Sequence, residues 1–304
     1  MSFSNKCKEE ILETDFSDKN IAEALIYGLF SFSSGVNTDE ILITSENISL
    51  LETAAFCMVS IGIDESYIEI IPGNKTYTLS VTSRDKTELL LDRFDLMLSS
   101  GTYELNDSIV YTPETRKAYI IGAFLGSGTI LSPSKGYHLQ FSTQHSERAQ
   151  TLYNLLHEEG FEAKLSRNAY NWIIYFKNSS MIEDLLTYMG AMSCSMEVME
   201  LKVYKEVKNT VTRRVNCESA NLQKTIASAS DDVEMFRAFL SSGGGKKLKK
   251  DQLALAKLRI NHPEFSFSEL ADQLGDDITK SGVNHRLRKL REIIRENNNH
   301  DDNQ

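Results

Sequence analysis

The order of predicted elements repeats once along the first two-thirds of the chain, at a period of about 90 residues, and this constrains the fold more than any single motif. In the first copy a helix of small and apolar residues over 21–33 precedes a strand over 41–44 and a helix over 47–61. Strands over 67–71 and 77–82, joined through the turn Pro72-Gly73-Asn74, and a helix over 85–98 complete it. The second copy places a helix over 115–125, a strand over 137–142 and a helix over 146–159 ended by Gly160. Strands over 163–166 and 172–176 follow, then a helix over 180–189 ended by Gly190. The letters of the two copies barely match, but the order α-β-α-β-β-α does. Such a duplication predicts an α+β fold with two sheets related by a pseudo-dyad and the two leading helices packed together at the centre.

Those leading helices read Leu25-Ile26-Tyr27-Gly28-Leu29-Phe30-Ser31-Phe32-Ser33 and Ile120-Ile121-Gly122-Ala123-Phe124-Leu125-Gly126-Ser127-Gly128. They resemble degenerate LAGLIDADG motifs, in which small residues let two helix backbones approach and a terminal acid on each helix holds a metal ion at a scissile phosphate. Aligned on Gly28 and Gly122, the acid positions fall on Ser33 and Ser127. Metal-assisted phosphodiester cleavage needs carboxylates there, and neutral hydroxyls are poor ligands for a hard dication. Asp39, Glu40 and Glu114 lie elsewhere, and none ends a central helix. No catalytic residue, metal site or cofactor is therefore expected. Taken alone, the motif also suits an ordinary pair of glycine-containing helices.

The C-terminal segment over 266–297 has the pattern of a helix-turn-helix. Ser266 and Glu269 form a capping box, Phe267, Leu270, Ala271 and Leu274 follow at helical spacing, and Gly275-Asp276-Asp277 makes the turn. A second helix, starting near residue 279 or 281, sets Val283, Leu287, Leu290 and Ile294 along one stripe. Rotation by about 100° per residue puts Ser281, Asn284, His285, Arg288 and Lys289 on the opposite side, with Arg286 and Arg291 on the flanks and Lys280 near the start. Asn pairs with the adenine edge and Arg with the guanine edge, while hydroxyls, Lys and the helix N-terminus hold phosphates. These eight residues are the candidate DNA contacts. The same pattern also suits a three-helix bundle whose charged face is merely solvated.

Between these regions, a helix over 205–225 carries Lys208, Arg213, Arg214 and Asn216 beside Val207, Val211 and Val215 at four-residue spacing. It reads as a helix with one wet basic side, serving either as a secondary grip on phosphates or as a connector whose cations pair with an acidic body. A further amphipathic helix over 231–240 leads into Ser241-Ser242-Gly243-Gly244-Gly245-Lys246-Lys247, whose composition predicts a flexible tether. The expected boundaries are 1–112 and 113–200 for the two repeats, 201–245 for basic connector helices and linker, and 246–304 for the helix-turn-helix domain with a polar tail.

Charge is distributed unevenly. The whole chain carries −10, yet residues 278–297 hold six cations against two acids, and so do residues 201–226, leaving −18 for the rest. An acidic body with two basic segments favours oriented docking over general adhesion to nucleic acid. Cys7, Cys57, Cys194 and Cys217 show neither zinc nor disulfide spacing. There is no apolar run near ~18 residues and no signal-peptide core at the start, so a cytoplasmic protein is expected. Gly243-Gly244-Gly245-Lys246-Lys247 lacks the spacing of a phosphate-binding loop, and no ATPase activity is expected.

Three separated pieces, in order, carry a stronger resemblance: Phe124-Leu125-Gly126-Ser127-Gly128-Thr129-Ile130, then Val215-Asn216-Cys217-Glu218-Ser219-Ala220-Asn221-Leu222-Gln223-Lys224-Thr225, then Ser281-Gly282-Val283-Asn284-His285-Arg286-Leu287-Arg288-Lys289-Leu290. Together they are similar to the WhiA family, bacterial regulators that join a degenerate homing-endonuclease-like domain to a C-terminal helix-turn-helix. The resemblance implies a catalytically inactive, nucleoid-associated transcriptional regulator that binds double-stranded DNA in sporulation, cell division or chromosome segregation. It leaves two other readings: a scaffold for a regulatory or division protein with secondary DNA binding, and an active metal-dependent endonuclease with substituted ligands. Because the duplicated domain contains its own internal dyad, a monomer is expected.

Overall fold

In a computed structural model of the chain, residues 2–37, 40–96, 104–275 and 278–301 are described, and the molecule divides into two compact units, Met1–Lys205 and Glu206–Gln304. The first unit is organised around two helices whose C-terminal halves are buried on every side. Helix α1 (Phe3–Leu12), an element the sequence pattern does not reveal, precedes them. Helix α2 (Lys19–Phe32) is capped by Asp18, which accepts from the Asn20 and Ile21 N–H groups, and is buried without interruption from Ala24 to Phe32.

Strand β1 (Leu42–Ser45), helix α3 (Ile48–Ser60), strands β2 (Ile68–Pro72) and β3 (Tyr77–Val81) and helix α4 (Arg84–Arg93) complete the first repeat. Helix α5 (Pro113–Ser127) opens the second. It has a Thr112–Thr115 capping box and Pro113 at its first position, and is buried from Ala118 to Leu125. A helical segment with no polar face can only sit inside a domain, and these segments of α2 and α5 lie against one another.

Two glycines permit the contact. A Cβ on Gly28 would stand 2.1 Å from the Tyr119 carbonyl oxygen, and one on Gly122 would stand 2.1 Å from the Leu25 oxygen and 2.7 Å from the Leu29 nitrogen. These separations are far inside van der Waals contact, so the crossing accepts no side chain at either position.

The first sheet has the order β1-β3-β2, antiparallel throughout, with Leu79 of the central strand paired to Ile43 and Ile70. The second comprises β4 (Thr129–Ile130), β5 (Leu139–Thr143), β6 (Lys164–Arg167) and β7 (Trp172–Phe176) in the order β4-β5-β7-β6. Ile174 there pairs with Phe141 and Leu165 as Leu79 does in the first copy, and both central residues are fully buried. The expected duplication is therefore present in the register. The short β4 was not expected; its counterpart in the first copy is only the isolated bridge Val36–Ile41. Helices α6 (Ser146–Glu158) and α7 (Ser179–Met189) flank the second sheet, and Gly190 ends α7 with a left-handed φ of 101°. The expected helix over 85–98 ends early, at Arg93, and residues 97–98 lie outside the described residues. Both repeats share one continuous core.

Helix α8 (Met192–Ser241) corrects the sequence reading, which expects two separate helices over 205–225 and 231–240. It is one helix of 50 residues. Its first turn is closed by α1: the Glu10 carboxylate accepts from the Ser193 N–H and, at 3.0 Å, from the Cys194 N–H, satisfying orphan donors of the helix start. From residue 206 to 224 every side chain is exposed, so Val207, Val211 and Val215 form no buried stripe. They are 58%, 55% and 56% exposed.

In the second unit the end of α8 contributes Phe236 and Phe239 to a core completed by α9 (Lys250–Asn261), α10 (Phe267–Leu274) and α11 (Lys280–Asp301). The glycine run, expected to be a tether, is a packed turn. Gly243 takes a left-handed φ of 86°, residues Gly244–Lys247 form a 3₁₀ turn, and Gly244 is buried on the Phe239 ring, where a Cβ would come within 2.5 Å of ring carbons. Glycine here serves close packing rather than flexibility. Arg259 of α9 is buried as well and donates from Nη1 to the Phe265 carbonyl at 2.7 Å.

Candidate nucleic-acid interface

The second unit presents α11 through a short connection from α10. The Ser266 hydroxyl accepts from the Glu269 N–H at 3.3 Å, and Glu269 returns the bond by accepting from the Ser266 N–H at 2.7 Å. That bond holds the Glu269 carboxyl below its ordinary pKa. Gly275 ends α10 with φ 122°, and Thr279 starts α11, its Oγ1 accepting from the Gly282 N–H at 3.2 Å. Asp276 and Asp277, the expected turn residues, lie outside the described residues.

Packing fixes the rotation of α11. Val283, Leu287, Leu290 and Ile294 are all buried against Phe236, Phe239, Leu255 and Leu270. Each contributes about 1.5–3 kcal/mol by burial, so turning the helix to hide its polar side would forfeit several such terms together. Lys280, Ser281, Asn284, His285, Arg286, Arg288 and Lys289 are consequently exposed. Arg288 and His285 share a hydrogen bond, with 3.3 Å between Nη2 and Nδ1, and Thr279 and Ser281 hydroxyls lie 2.9 Å apart. Between residues 280 and 289 the helix holds four cations and no acid; Glu292 and Glu296 enter only in later turns. The positive charge is thus concentrated in the first three turns, where a helix lying in a major groove meets base edges.

Arg291 differs from the other candidate contacts in having an acidic partner within the unit. Its Nε and Nη2 donate to Asp232 Oδ1 and Oδ2 at 2.5 and 2.8 Å, and Asp232, on α8, is only 3% exposed. The bidentate bond raises the guanidinium pKa further and commits the side chain to tying α11 to α8. No sequence signal reserved it, because Arg286 lies as far from the buried stripe and is exposed.

The secondary candidates Lys208, Arg213, Arg214 and Asn216 are all exposed on α8, but the helix does not gather them. At about 100° per residue, Arg213 and Arg214 diverge from each other and from Lys208, and no single basic face results. Arg214 pairs with Glu218 at 2.9 Å.

At the ends of the central helices in the first unit, the Ser33 hydroxyl donates to the Leu29 carbonyl at 2.7 Å. The Ser127 hydroxyl lies 3.5 Å from the Ala123 carbonyl oxygen and accepts from the Ser142 N–H at 3.2 Å. Both hydroxyls are engaged with nearby backbone. Among the described residues no group of three or more His, Cys, Asp or Glu side chains converges on a point. Asp39 lies outside the described residues. The thiols of Cys7 and Cys57 are buried, and their pKa values are pushed up, Cys7 mainly by its bond with Cys194 and Cys57, to about 12, by burial. No described helix is long and apolar enough to cross a membrane.

Comparison with known proteins resolves what this pairing of units is. A family model for the WhiA C-terminal HTH domain matches residues 211–294, and one for the WhiA LAGLIDADG-like domain matches residues 116–208. A probable cell division protein WhiA of Clostridium tetani is 31% identical over 97% of this chain and 98% of its own length. The chain belongs to the WhiA family. A relative of the same description from Clostridium botulinum strain Eklund 17B is 40% identical over 64% of this chain and 62% of its own. The crystal structure of full-length DUF199/WhiA from Thermatoga maritima matches with a TM-score of 0.60 and 18% identity, covering 97% of this chain and 99% of that one. This family member is thus a LAGLIDADG-like α+β domain followed by a helical helix-turn-helix region.

Proposed function

We propose that this protein is a DNA-binding transcriptional regulator in which the first turns of α11 read a duplex and the LAGLIDADG-like domain does not cut. The reading rests on the fixed rotation of α11, which buries Val283, Leu287, Leu290 and Ile294 and leaves Asn284 and Arg288 in water among cations. In it, Asn284 and Arg288 address base edges, while Lys280, Ser281, His285, Arg286 and Lys289 hold the backbone. Arg291 is left out because Asp232 holds it. The neutral Ser33 and Ser127 support a non-enzymatic role, since cleavage would require charged metal ligands there. The name of the clostridial relatives supports a role in cell division; a role in sporulation rests on the family resemblance alone. A cytoplasmic, nucleoid-associated monomer is the state proposed.

The test is a gel shift on genomic fragments with Arg288→Ala combined with Lys289→Ala. The variant should keep its circular dichroism spectrum and lose at least about tenfold in affinity, because each bidentate base contact is worth about 1–3 kcal/mol. Unchanged affinity removes the reading. Incubating the same fragments with magnesium or manganese tests the absence of cutting, and any specific cleavage product contradicts it.

A second reading, a protein scaffold with secondary DNA binding, is favoured by one observation. Val203, Val207, Val211 and Val215 stand exposed along α8, an apolar row that a protein partner could cover. Deleting residues 225–304, which removes the helix-turn-helix core whole and keeps the valine row, separates the two: a phenotype retained without DNA site preference favours the scaffold.

A further inference from the structure

The two repeats share a fold but differ along one flank. In the first, an open groove of about 510 Å³ runs between α3 and β2, with Phe56 and Val59 on the helix side and Ile68 and Ile70 on the strand side. Phe56 and Val59 are 52% and 42% exposed, and Ile71 on the same strand is 46% exposed, so the groove sits in a patch of apolar surface that folding leaves in water. Among the described residues its charged lining is Glu52 and Glu65, with no cation. Glu69, on β2, is exposed as well.

The second repeat shows that the fold does not require this surface. Gly62 and Gly160 follow α3 and α6 with left-handed φ of 103° and 87°, and alignment on them matches Ala55, Phe56 and Val59 with Tyr153, Asn154 and His157. There the His157 ring, packed on Tyr153 with centroids 4.5 Å apart, reaches the Ala163 carbonyl at 3.1 Å and bridges helix to strand. By register Ala163 corresponds to Ile68, and the Val59 side chain has no atom to make that bond. The strands differ too. β6 carries Lys164 and Ser166, a cation and a hydroxyl that suit a solvated edge, where β2 carries Glu69 and Ile71.

β2 is also an outer strand of its sheet. The Tyr67 carbonyl accepts from the Thr82 N–H at 2.9 Å, so antiparallel alternation turns the peptide groups of Ile68 and Ile70 to the open side. The Glu65 carbonyl takes the Ile68 N–H, which leaves the Ile68 carbonyl and both Ile70 groups facing outward. Pro72, lacking an N–H, limits the edge at its far end.

We propose that this groove docks an extended segment of a partner protein, which adds to β2 as a strand, sets apolar side chains against Phe56, Val59 and Ile70, and presents Lys or Arg to Glu52, Glu65 and Glu69. A second copy of this chain is a poor occupant, because pairing β2 with itself doubles the acidic charge at the contact with no cation to offset it. The inference is independent of DNA reading by α11.

The test pans the full chain against a library of random short peptides displayed on phage. Enriched peptides are expected to alternate apolar residues with Lys or Arg. A synthetic copy of the most enriched one should lose about fivefold or more in affinity for Phe56→Ser, which removes about half of one burial term. Glu52→Lys combined with Glu65→Lys should weaken the same peptide and, panned afresh, select acidic ones; all three side chains are exposed, so these variants keep the fold. N-methylation along the peptide reads the mode of binding: loss at alternate residues is expected for an added strand, whereas loss at i, i+3 and i+4 indicates a helix and overturns the proposal. The double variant of Arg288 and Lys289 should bind the peptide as the wild type does, and loss there would move the site to the second unit and overturn the groove. A library without enrichment, peptides indifferent to Phe56→Ser or to the charge reversal, or dimerisation of the chain that Phe56→Ser abolishes would each overturn it as well.

Discussion

Replacing Gly122 by alanine sets two physical effects of opposite sign against each other. In the middle of a helix the change should be stabilising by about 0.8–1 kcal/mol from propensity alone. Here the new methyl would stand 2.1 Å from the Leu25 oxygen, 2.7 Å from the Leu29 nitrogen and 3.0 Å from the Leu25 carbonyl carbon. All three are backbone atoms of α2, so no rotamer change relieves the overlap, and the helices must part by about an ångström along their shared length. Overpacking of this kind costs about 1–3 kcal/mol and more where backbone must move, so a net loss near 3 kcal/mol is expected. The single tryptophan, Trp172 on β7, reports on the first unit. Followed by its fluorescence, urea unfolding at a slope of about 2 kcal/mol/M should shift its midpoint down by about 1.5 M. Gly282 supplies the control: a Cβ there meets nothing closer than Thr279 Oγ1 at 3.4 Å, so Gly282→Ala should leave the second unit as stable or more so. If Gly122→Ala raises the midpoint, the close crossing of α2 and α5 does not control the stability of the domain.

Asp232→Ala should destabilise the second unit by about 3 kcal/mol, seen as a lowered melting temperature by circular dichroism, because it strands a half-buried Arg291. A loss below about 1 kcal/mol would show that water replaces the pair cheaply. Burial lowers the Lys8 pKa to about 8 from its ordinary 10.5. The unfolded chain therefore binds more protons between those values, and Lys8's contribution to stability should rise as pH climbs through that window. Lys8→Met should flatten the rise, and equal slopes for both proteins would refute the assignment. With Arg291 withdrawn, the exposed cations of α11 are Lys280, Arg286, Arg288, Lys289 and Arg295. The logarithm of affinity should then fall against log salt with a slope no steeper than about −4.5 from this helix; a value near −9 would require a second DNA-binding surface.

Periodicity made much of this molecule legible. Alternation and caps located both repeats to within a few residues, and the four-three-four spacing of Val283, Leu287, Leu290 and Ile294 set the orientation of α11, because burying that stripe dominates any single surface preference. What escaped depends on partners distant in sequence. Helix α1 carries little apolar patterning and is defined by its contacts, such as the reach of Glu10 to α8. The continuity of α8 was hidden because its middle has no buried face to announce a helix, and valines at four-residue spacing imitated one. The glycines after Ser242 looked like a tether for a similar reason. Glycine signals both freedom and close approach, and only the Phe239 ring distinguishes them. Arg291 shows the same limit: its charge is visible in the sequence, whereas Asp232, 59 residues upstream, is found only by folding.

The seating of Phe236 and Phe239 under α11 bears on how the protein can be taken apart. A fragment begun at Gly243 would remove both aromatic rings and Asp232, stripping the floor from beneath the C-terminal helices. Its failure in the gel shift would then report a collapsed module rather than a missing contact. Dissection that respects this architecture has to cut well upstream, within the solvated stretch of α8 between residues 206 and 224.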